Sequence, residues 1–93
     1  MMKVMNVAKW DFIGVEDRGF VFKSSISTLP EYTIVNEGCL DFGTTRAYFD
    51  RSNDTYRIRI PKHNSDLVIN YLKATFNIDG ALRETDNSVL INV

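Results

Sequence analysis

The sequence predicts an α+β domain in which hairpins form a mainly antiparallel sheet and one helix packs on one face of it. Short apolar segments alternate with polar loops that contain glycine, asparagine or aspartate, which is typical of hairpins. Only residues 65–76 combine apolar residues at helical spacing with a helix start signal. The 93 residues, 44% of them hydrophobic and 25% charged, have the size and composition of a single folded domain spanning residues 1–93.

The first hairpin is predicted from two apolar segments, Trp10–Val15 and Phe20–Ser24. They flank Glu16–Gly19, a polar loop whose final glycine can adopt a left-handed conformation. A helix across residues 2–13 is the competing interpretation, because apolar residues also recur there near helical spacing. We prefer a strand from residue 10 onward and leave the structure of residues 1–9 open.

Two more hairpins are predicted in the middle of the chain. The second pairs Tyr32–Val35 with Cys39–Phe42, and the third pairs Thr45–Asp50 with Thr55–Ile60. In the last of these segments apolar and polar residues alternate strictly, as a strand with one buried face requires. Pro61 ends that strand because it has no N–H to donate.

The helix over residues 65–76 is predicted to begin with a side-chain cap from Asn64 or Ser65. Its apolar stripe would lie on the sheet, and Asn77 and Gly80 would stop it. The stripe consists of Leu67, Val68, Tyr71, Leu72 and Phe76.

A last hairpin is predicted from Ala81–Thr85 and Ser88–Val93 around the loop Asp86-Asn87, whose residues tolerate positive φ. This register places Leu82 opposite Ile91 on one face.

The predicted core takes large apolar side chains from every element, enough to stabilise the domain without a metal or a disulfide. Its members are Trp10, Phe12, Phe20, Phe22, Ile34, Leu40, Phe42, Phe49, Ile58, Ile60, Val68, Leu72, Phe76, Leu82, Val89 and Ile91.

The composition of the chain limits the classes of function that we expect. The net charge of −1 differs from that of a typical nucleic-acid-binding protein, which is usually basic overall. No segment approaches the ~20 apolar residues of a membrane span, so no membrane partner is expected. The single cysteine, Cys39, and the lack of a signal-peptide pattern lead us to expect a cytoplasmic protein.

Catalytic chemistry has little support in the sequence. The one histidine, His63, is expected in a solvated turn, and Cys39 is expected to be a small core residue. No pair of histidine or cysteine residues has metal-ligand spacing, and no glycine-rich phosphate loop is present. We therefore expect a protein that is not an enzyme, with no cofactor, no metal and no catalytic residues.

One cluster of basic residues is a candidate binding site. If Ala47, Phe49, Ile58 and Ile60 face the core, then the opposite face of the third hairpin carries Arg46, Tyr48, Arg57 and Arg59. Lys62 and Arg51 lie at its two ends. Arginine forks suit phosphates or carboxylates, and a tyrosine between them can stack on a base. The alternative interpretation is a solvated sheet face on which arginine serves only solubility.

A second candidate surface is apolar. Under the same alternation Val7, Val21, Val35 and Leu90 lie on the minority faces of their strands. If they were exposed together, they would indicate a protein partner or a homodimer.

Three stretches carry a resemblance to a known family. They are Gly19–Lys23, Tyr48–Asp50 leading into Tyr56–Ile58, and the helix followed by Asp86–Ile91. In this order of hairpins and helix the chain resembles the C-terminal double-wing domain of T-even phage middle-promoter transcription activators. The resemblance implies that the face from Arg46 to Arg59 binds promoter DNA, since the family's sheet does so.

Three functions are therefore to be compared, and we expect a small binding protein that acts through protein–protein interaction. Its size and its eight asparagines suit an accessory protein of the phage or mobile-element type, which inhibits or modulates a host factor. The alternative is a nucleic-acid-binding module of the transcription-regulator kind. Either would use Arg46, Tyr48, Arg57, Arg59 and Lys62. Catalysis ranks last.

Overall fold

The computed structural model describes residues 2–76, 78 and 82–93, and these residues form nine strands and one helix. The helix, α1, spans Ser65–Thr75. The strands are β1 (Lys3–Asn6), β2 (Asp11–Glu16), β3 (Gly19–Lys23), β4 (Tyr32–Val35), β5 (Gly38–Asp41), β6 (Arg46–Ser52), β7 (Thr55–Pro61), β8 (Leu82–Glu84) and β9 (Ser88–Asn92).

The predicted fold class is confirmed, but the strands form two sheets instead of one. A six-stranded sheet has the order β1-β5-β6-β7-β9-β8, and a three-stranded sheet has the order β2-β3-β4. Every pairing is antiparallel except that of β1 with β5, which is parallel. No helix among the described residues is long and apolar enough to cross a membrane.

Phenylalanine side chains join the two sheets. The ring centroid of Phe49 on β6 lies 5.1 Å from those of Phe12 and Phe20 and 5.3 Å from that of Phe22. All four side chains are almost completely buried. Helix α1 closes the same core with Val68 and Leu72, so the core lies between the inner faces of the sheets and the helix.

The first and third predicted hairpins are confirmed, and their turns are shorter than predicted. β2 and β3 pair up to Glu16 and Gly19, which leaves a two-residue turn in place of the longer loop. β6 and β7 pair up to Ser52 and Thr55, and the turn consists of Asn53 and Asp54, with φ of 50° and 65°. Two consecutive residues with positive φ match the right-handed twist of the flanking strands.

The predicted pairing of Tyr32–Val35 with Cys39–Phe42 is wrong. β4 pairs with β3, whereas β5 pairs with β6 and β1, so the chain changes sheets between Val35 and Gly38. The position beside β5 is taken by β1, a strand that was not predicted from the sequence. Local alternation shows which residues face inward, but it carries no information on which strand from elsewhere in the chain occupies an edge.

The helix agrees with its predicted limits to within one residue. The predicted cap is wrong, because Asn64 precedes the helix in a left-handed conformation and its side chain makes no capping hydrogen bond. The predicted stop at Asn77 and Gly80, and the start of the next segment at Ala81, lie outside the described residues. The predicted register of Leu82 with Ile91 is confirmed.

Most of the predicted core is confirmed, with two clear errors. Ile34 and Leu82 are 37% and 49% exposed, whereas Phe42 and Phe76 are partly buried against the core. Ile34 is exposed because β4 pairs with β3 in the register that sets Val35, and not Ile34, beside Phe20. The confirmed members are Trp10, Phe12, Phe20, Phe22, Leu40, Phe49, Ile58, Ile60, Val68, Leu72, Val89 and Ile91.

Candidate binding surface

The six-stranded sheet has one face toward the core and one toward solvent, and we call the second the open face. On β6 and β7 the core-facing side chains are Ala47, Phe49, Ile58 and Ile60, all buried. Because successive side chains of a strand point to opposite sides, the residues between them project from the open face. The condition on which the candidate site depended is therefore met.

Four of the five predicted site residues share this face. Arg46, Tyr48, Arg57 and Arg59 alternate with the buried positions of β6 and β7. Lys62 follows the end of β7, where its backbone N–H donates to the carbonyl oxygen of Asn87 at 3.0 Å. It therefore lies at the margin of the open face, not on it.

Arg51, also predicted at the end of this hairpin, belongs to a different surface. Its guanidinium bonds to Asp54 at 2.7 Å and lies 5.1 Å from the ring centroid of Tyr56. The hydrogen bond to Asp54 raises the pKa of Arg51. Arg51 stands one residue out of phase with Asp50, so its side chain leaves the strand on the opposite side.

Two of the arginines on the open face lie opposite aspartates of neighbouring strands. Arg57 lies opposite Asp50, and its Nε is 3.0 Å from the carboxylate. Arg46 lies opposite Asp41 on β5 at 3.8 Å. Both pairs are partly exposed to solvent, which weakens the contribution of an ion pair to stability. Their effect is to engage two of the arginines with carboxylates of the protein itself.

Arg59 has a different partner. It lies opposite Tyr48, and its guanidinium carbon is 4.5 Å from the centroid of the tyrosine ring. Stacking on the ring holds the guanidinium while leaving its N–H groups at the edge available to an acceptor. Among the residues that the structure describes, Arg59 forms no ion pair.

The strand registers extend this pair into a row that crosses the whole sheet. Tyr48 and Arg59 stand in its middle, with apolar side chains on both sides and a further arginine at one end. From β1 to β8 the row consists of Val4, Cys39, Tyr48, Arg59, Leu90 and Arg83. Sequence reasoning missed Arg83, although the predicted register of the last hairpin already placed it beside Leu90.

Cys39 is completely buried, as expected of a small apolar side chain, but it lies on the side of the open face. It stands in register between Val4 and Tyr48. Burial raises the pKa of its thiol, and the charge of Arg46 opposes that effect in part. The thiol therefore stays protonated near neutral pH.

The open face carries a local positive excess. Its described charged residues are four arginines, Arg46, Arg57, Arg59 and Arg83, and two aspartates, Asp41 and Asp50. The formal charge of these six is +2, in a chain whose total is −1. The excess is located in Arg59 and Arg83, because the other two arginines are paired.

A cleft of about 230 Å³ lies on the open face beside this excess. Leu90 and Asn92 of β9 lie between Arg57 on β7 and Arg83 on β8, and Leu82 completes the lining. The cleft thus combines two guanidinium groups and one carboxamide with the apolar side chain of Leu90.

The predicted apolar surface does not exist as one patch. Val35 is part of the core, Val7 packs partly against it, and Val21 is buried in the three-stranded sheet. Only Leu90 belongs to the open face, where it is partly exposed. The four residues separate because the chain forms two sheets, so that one parity rule cannot apply to all of the strands.

No metal site is formed by the described residues, since they contain no group of three or more histidine, cysteine, aspartate or glutamate side chains that could hold an ion. Comparison of the chain with protein-family models, with curated proteins and with solved structures finds no match. The resemblance to the double-wing domain stays a prediction.

Proposed function

We propose that this chain is a small binding protein whose open face binds an acidic surface of a protein partner. One observation carries the proposal: Arg59 is stacked on Tyr48 in the middle of the sheet and is not neutralised by a carboxylate among the described residues. Tyrosine and arginine are enriched among the residues that dominate protein–protein binding energies. The stacked guanidinium is already ordered, which lowers the entropy cost of binding.

Charge complementarity favours an acidic partner. The excess of +2 on the open face gives a local field that attracts carboxylates, although the chain as a whole carries −1. Asp41 and Asp50 limit that field. A polyanion would meet both aspartates across this face, whereas a protein surface can place its carboxylates only where the arginines lie. A protein partner therefore fits the mixture of charges better than a nucleic acid does.

The proposal assigns no catalytic step to the chain and places its action in the cytoplasm, where the thiol of Cys39 stays reduced. Binding over a flat sheet face would inhibit or modulate the partner by covering part of its surface. This is the mode of action expected of an accessory protein of the phage or mobile-element type.

The test compares two charge reversals that change the net charge equally. Arg59→Glu alters the middle of the open face, whereas Arg18→Glu alters an exposed arginine in the turn between β2 and β3. Proteins retained by the immobilised chain from nuclease-treated lysate are identified, purified and titrated against the wild type and both variants by calorimetry.

We expect Arg59→Glu to weaken the purified pair by about 30-fold or more, which corresponds to roughly 2 kcal/mol, a typical loss at a central interface residue. Arg18→Glu should leave the affinity within about twofold of the wild type. Equal affinities for the wild type and Arg59→Glu would contradict the proposal, and circular dichroism shows whether each variant is folded.

Nucleic-acid binding is the second candidate, and the stack of Arg59 on Tyr48 is the observation that favours it, since bases also stack on aromatic rings. The resemblance to the double-wing domain implies the same role. Fluorescence anisotropy of labelled single- and double-stranded oligonucleotides, at two salt concentrations, distinguishes it. Binding that weakens steeply with salt and is lost in Arg59→Glu would indicate phosphate contacts and replace the protein-partner proposal.

A further inference from the structure

The cleft between β7, β9 and β8 has the composition of a carboxylate-binding site. Asn92 lies opposite Arg57, and Leu90 lies opposite Arg83, so that two arginines approach the same short segment of β9 from its two sides. These four side chains project from the open face, and Leu82, an edge-strand residue opposite the core residue Ile91, borders the cleft. Its volume of about 230 Å³ is sufficient for side chains but not for a folded element.

We propose that this cleft takes an acidic side chain of the partner, a glutamate or aspartate flanked by an apolar residue. The inference rests on the proposed function and specifies which part of the partner is recognised. The carboxylate would lie between Arg57, Arg83 and the carboxamide of Asn92, and the apolar neighbour would cover Leu90.

The donors that remain on the two arginines support this assignment. Arg57 uses its Nε toward Asp50, at 3.0 Å, which leaves its terminal amino groups for a ligand. Arg83 forms no ion pair with any residue that the structure describes. A carboxylate accepts parallel N–H bonds from arginine, and Asn92 adds one neutral donor.

The surroundings favour a carboxylate over a phosphate. Asp50 already lies against Arg57, and a phosphate, with up to two negative charges, would be repelled more strongly by it than a carboxylate. Leu90, which is partly exposed between Arg59 and Arg83, gives the cleft an apolar surface. A peptide can match this with a neighbouring leucine, whereas inorganic phosphate cannot.

The test uses two blocked pentapeptides, Gly-Leu-Glu-Leu-Gly and Gly-Leu-Gln-Leu-Gly, and inorganic phosphate as separate probes. Each is titrated into the 15N-labelled full chain, with the backbone amides and the arginine Nε–H signals followed by NMR. We expect the glutamate peptide to shift Arg57, Arg83 and Asn92, with an affinity at least tenfold higher than that of the glutamine peptide.

Two variants make the test specific. Arg83→Gln should weaken the glutamate peptide by about tenfold, and Arg18→Gln, in the β2–β3 turn outside the lining of the cleft, should not change its affinity. Absence of shifts at Arg83 and Asn92, or equal affinities for the two peptides, would overturn the inference. Stronger binding of phosphate than of the glutamate peptide would also overturn it, in favour of a nucleic-acid ligand.

These outcomes are separable from the proposed function. If the peptides fail to bind the cleft while Arg59→Glu still weakens binding of the purified partner, the open face remains the interface, and Tyr48 and Arg59 are its main contact residues. An unaffected Arg59→Glu variant would remove the interface itself.

Discussion

Replacing Gly19 with alanine tests the place where the chain leaves the three-stranded sheet. Gly19 begins β3 with a φ of 141°, which side chains disfavour. A Cβ there would lie 2.8 Å from the carbonyl carbon of Val35 and would overlap the carbonyl oxygen of that residue. Because Val35 is the last residue of β4, relief of the overlap requires a shift of the start of β3 or of the start of the crossover to β5.

The expected loss has two parts. An L residue held in this region of φ costs about 1–3 kcal/mol, and a steric overlap with backbone adds about 1–3 kcal/mol. Gly43 supplies a matched control, because it also has a positive φ, 88°, but a Cβ there meets no atom within 4 Å. Gly43→Ala should lower the free energy of unfolding only by the cost of the unfavourable φ, about 1–2 kcal/mol.

Urea unfolding, followed by the fluorescence of the single, buried Trp10, measures both variants. We expect Gly19→Ala to unfold at a urea concentration about 1 M or more below that of Gly43→Ala, given a slope of about 1–3 kcal/mol per M for small proteins. Gly43→Ala should stay folded in buffer, because a domain of this size has a stability of about 5–14 kcal/mol, and partial unfolding of Gly19→Ala without urea would also mark it as the less stable variant. Equal midpoints would refute the close approach of β3 to the crossover.

Three further predictions concern the rest of the fold. Gly38→Ala would bring a Cβ to 2.7 Å from the carbonyl oxygen of Lys3 and should accelerate amide exchange along β1 before the rest of the sheet, as hydrogen-exchange NMR will show. Tyr71→Phe removes the hydroxyl that accepts from the N–H of Phe12 at 3.1 Å, and should cost about 1–3 kcal/mol in the same urea assay. Burial raises the pKa of Cys39, so the unfolded chain releases this proton first, and stability falls as the pH rises above about 8.5. Cys39→Ala should show a smaller fall in stability between pH 8 and pH 10, and an identical slope would contradict the burial of the thiol.

The alternation of side chains carried most of the information that the sequence holds about this fold. It was sufficient for the open-face cluster of Arg46, Tyr48, Arg57 and Arg59, because β6 and β7 are neighbours joined by a tight turn. In such a hairpin the register follows from the turn, and each residue's face follows from the register.

Pairing between distant segments was not predictable in the same way. β1 and β5 are separated by more than thirty residues and pair in parallel, so no turn specifies their register. The predicted β4–β5 hairpin was wrong for this reason: a short polar link serves equally for a hairpin and for a change of sheet. The same error explains why Ile34 was wrongly predicted to be buried and Val35 to be exposed.

The ion pairs on the open face could not be predicted from the local sequence alone. Asp50 belonged to the predicted hairpin, but its pairing with Arg57 needs the observed two-residue turn, because the predicted four-residue loop would set Asp50 beside Thr55. Asp41 pairs with Arg46 only because β5 lies beside β6, and Arg83 reaches the cleft only because β9 lies beside β7. Each of these positions depends on the order of the strands in the sheet. That order is determined by contacts between residues that are far apart in the sequence.

Hydroxyl-radical footprinting of the chain bound to its purified partner shows whether the open face is the interface. The tyrosine and aliphatic residue of the open face, Tyr48 and Leu90, are compared with Tyr32 and Ile34, which are exposed on the three-stranded sheet. We expect the partner to reduce oxidation of Tyr48 and Leu90 several-fold and to leave the oxidation of Tyr32 and Ile34 unchanged. Protection of Tyr32 and Ile34, with Tyr48 and Leu90 oxidised as in the free protein, would contradict it.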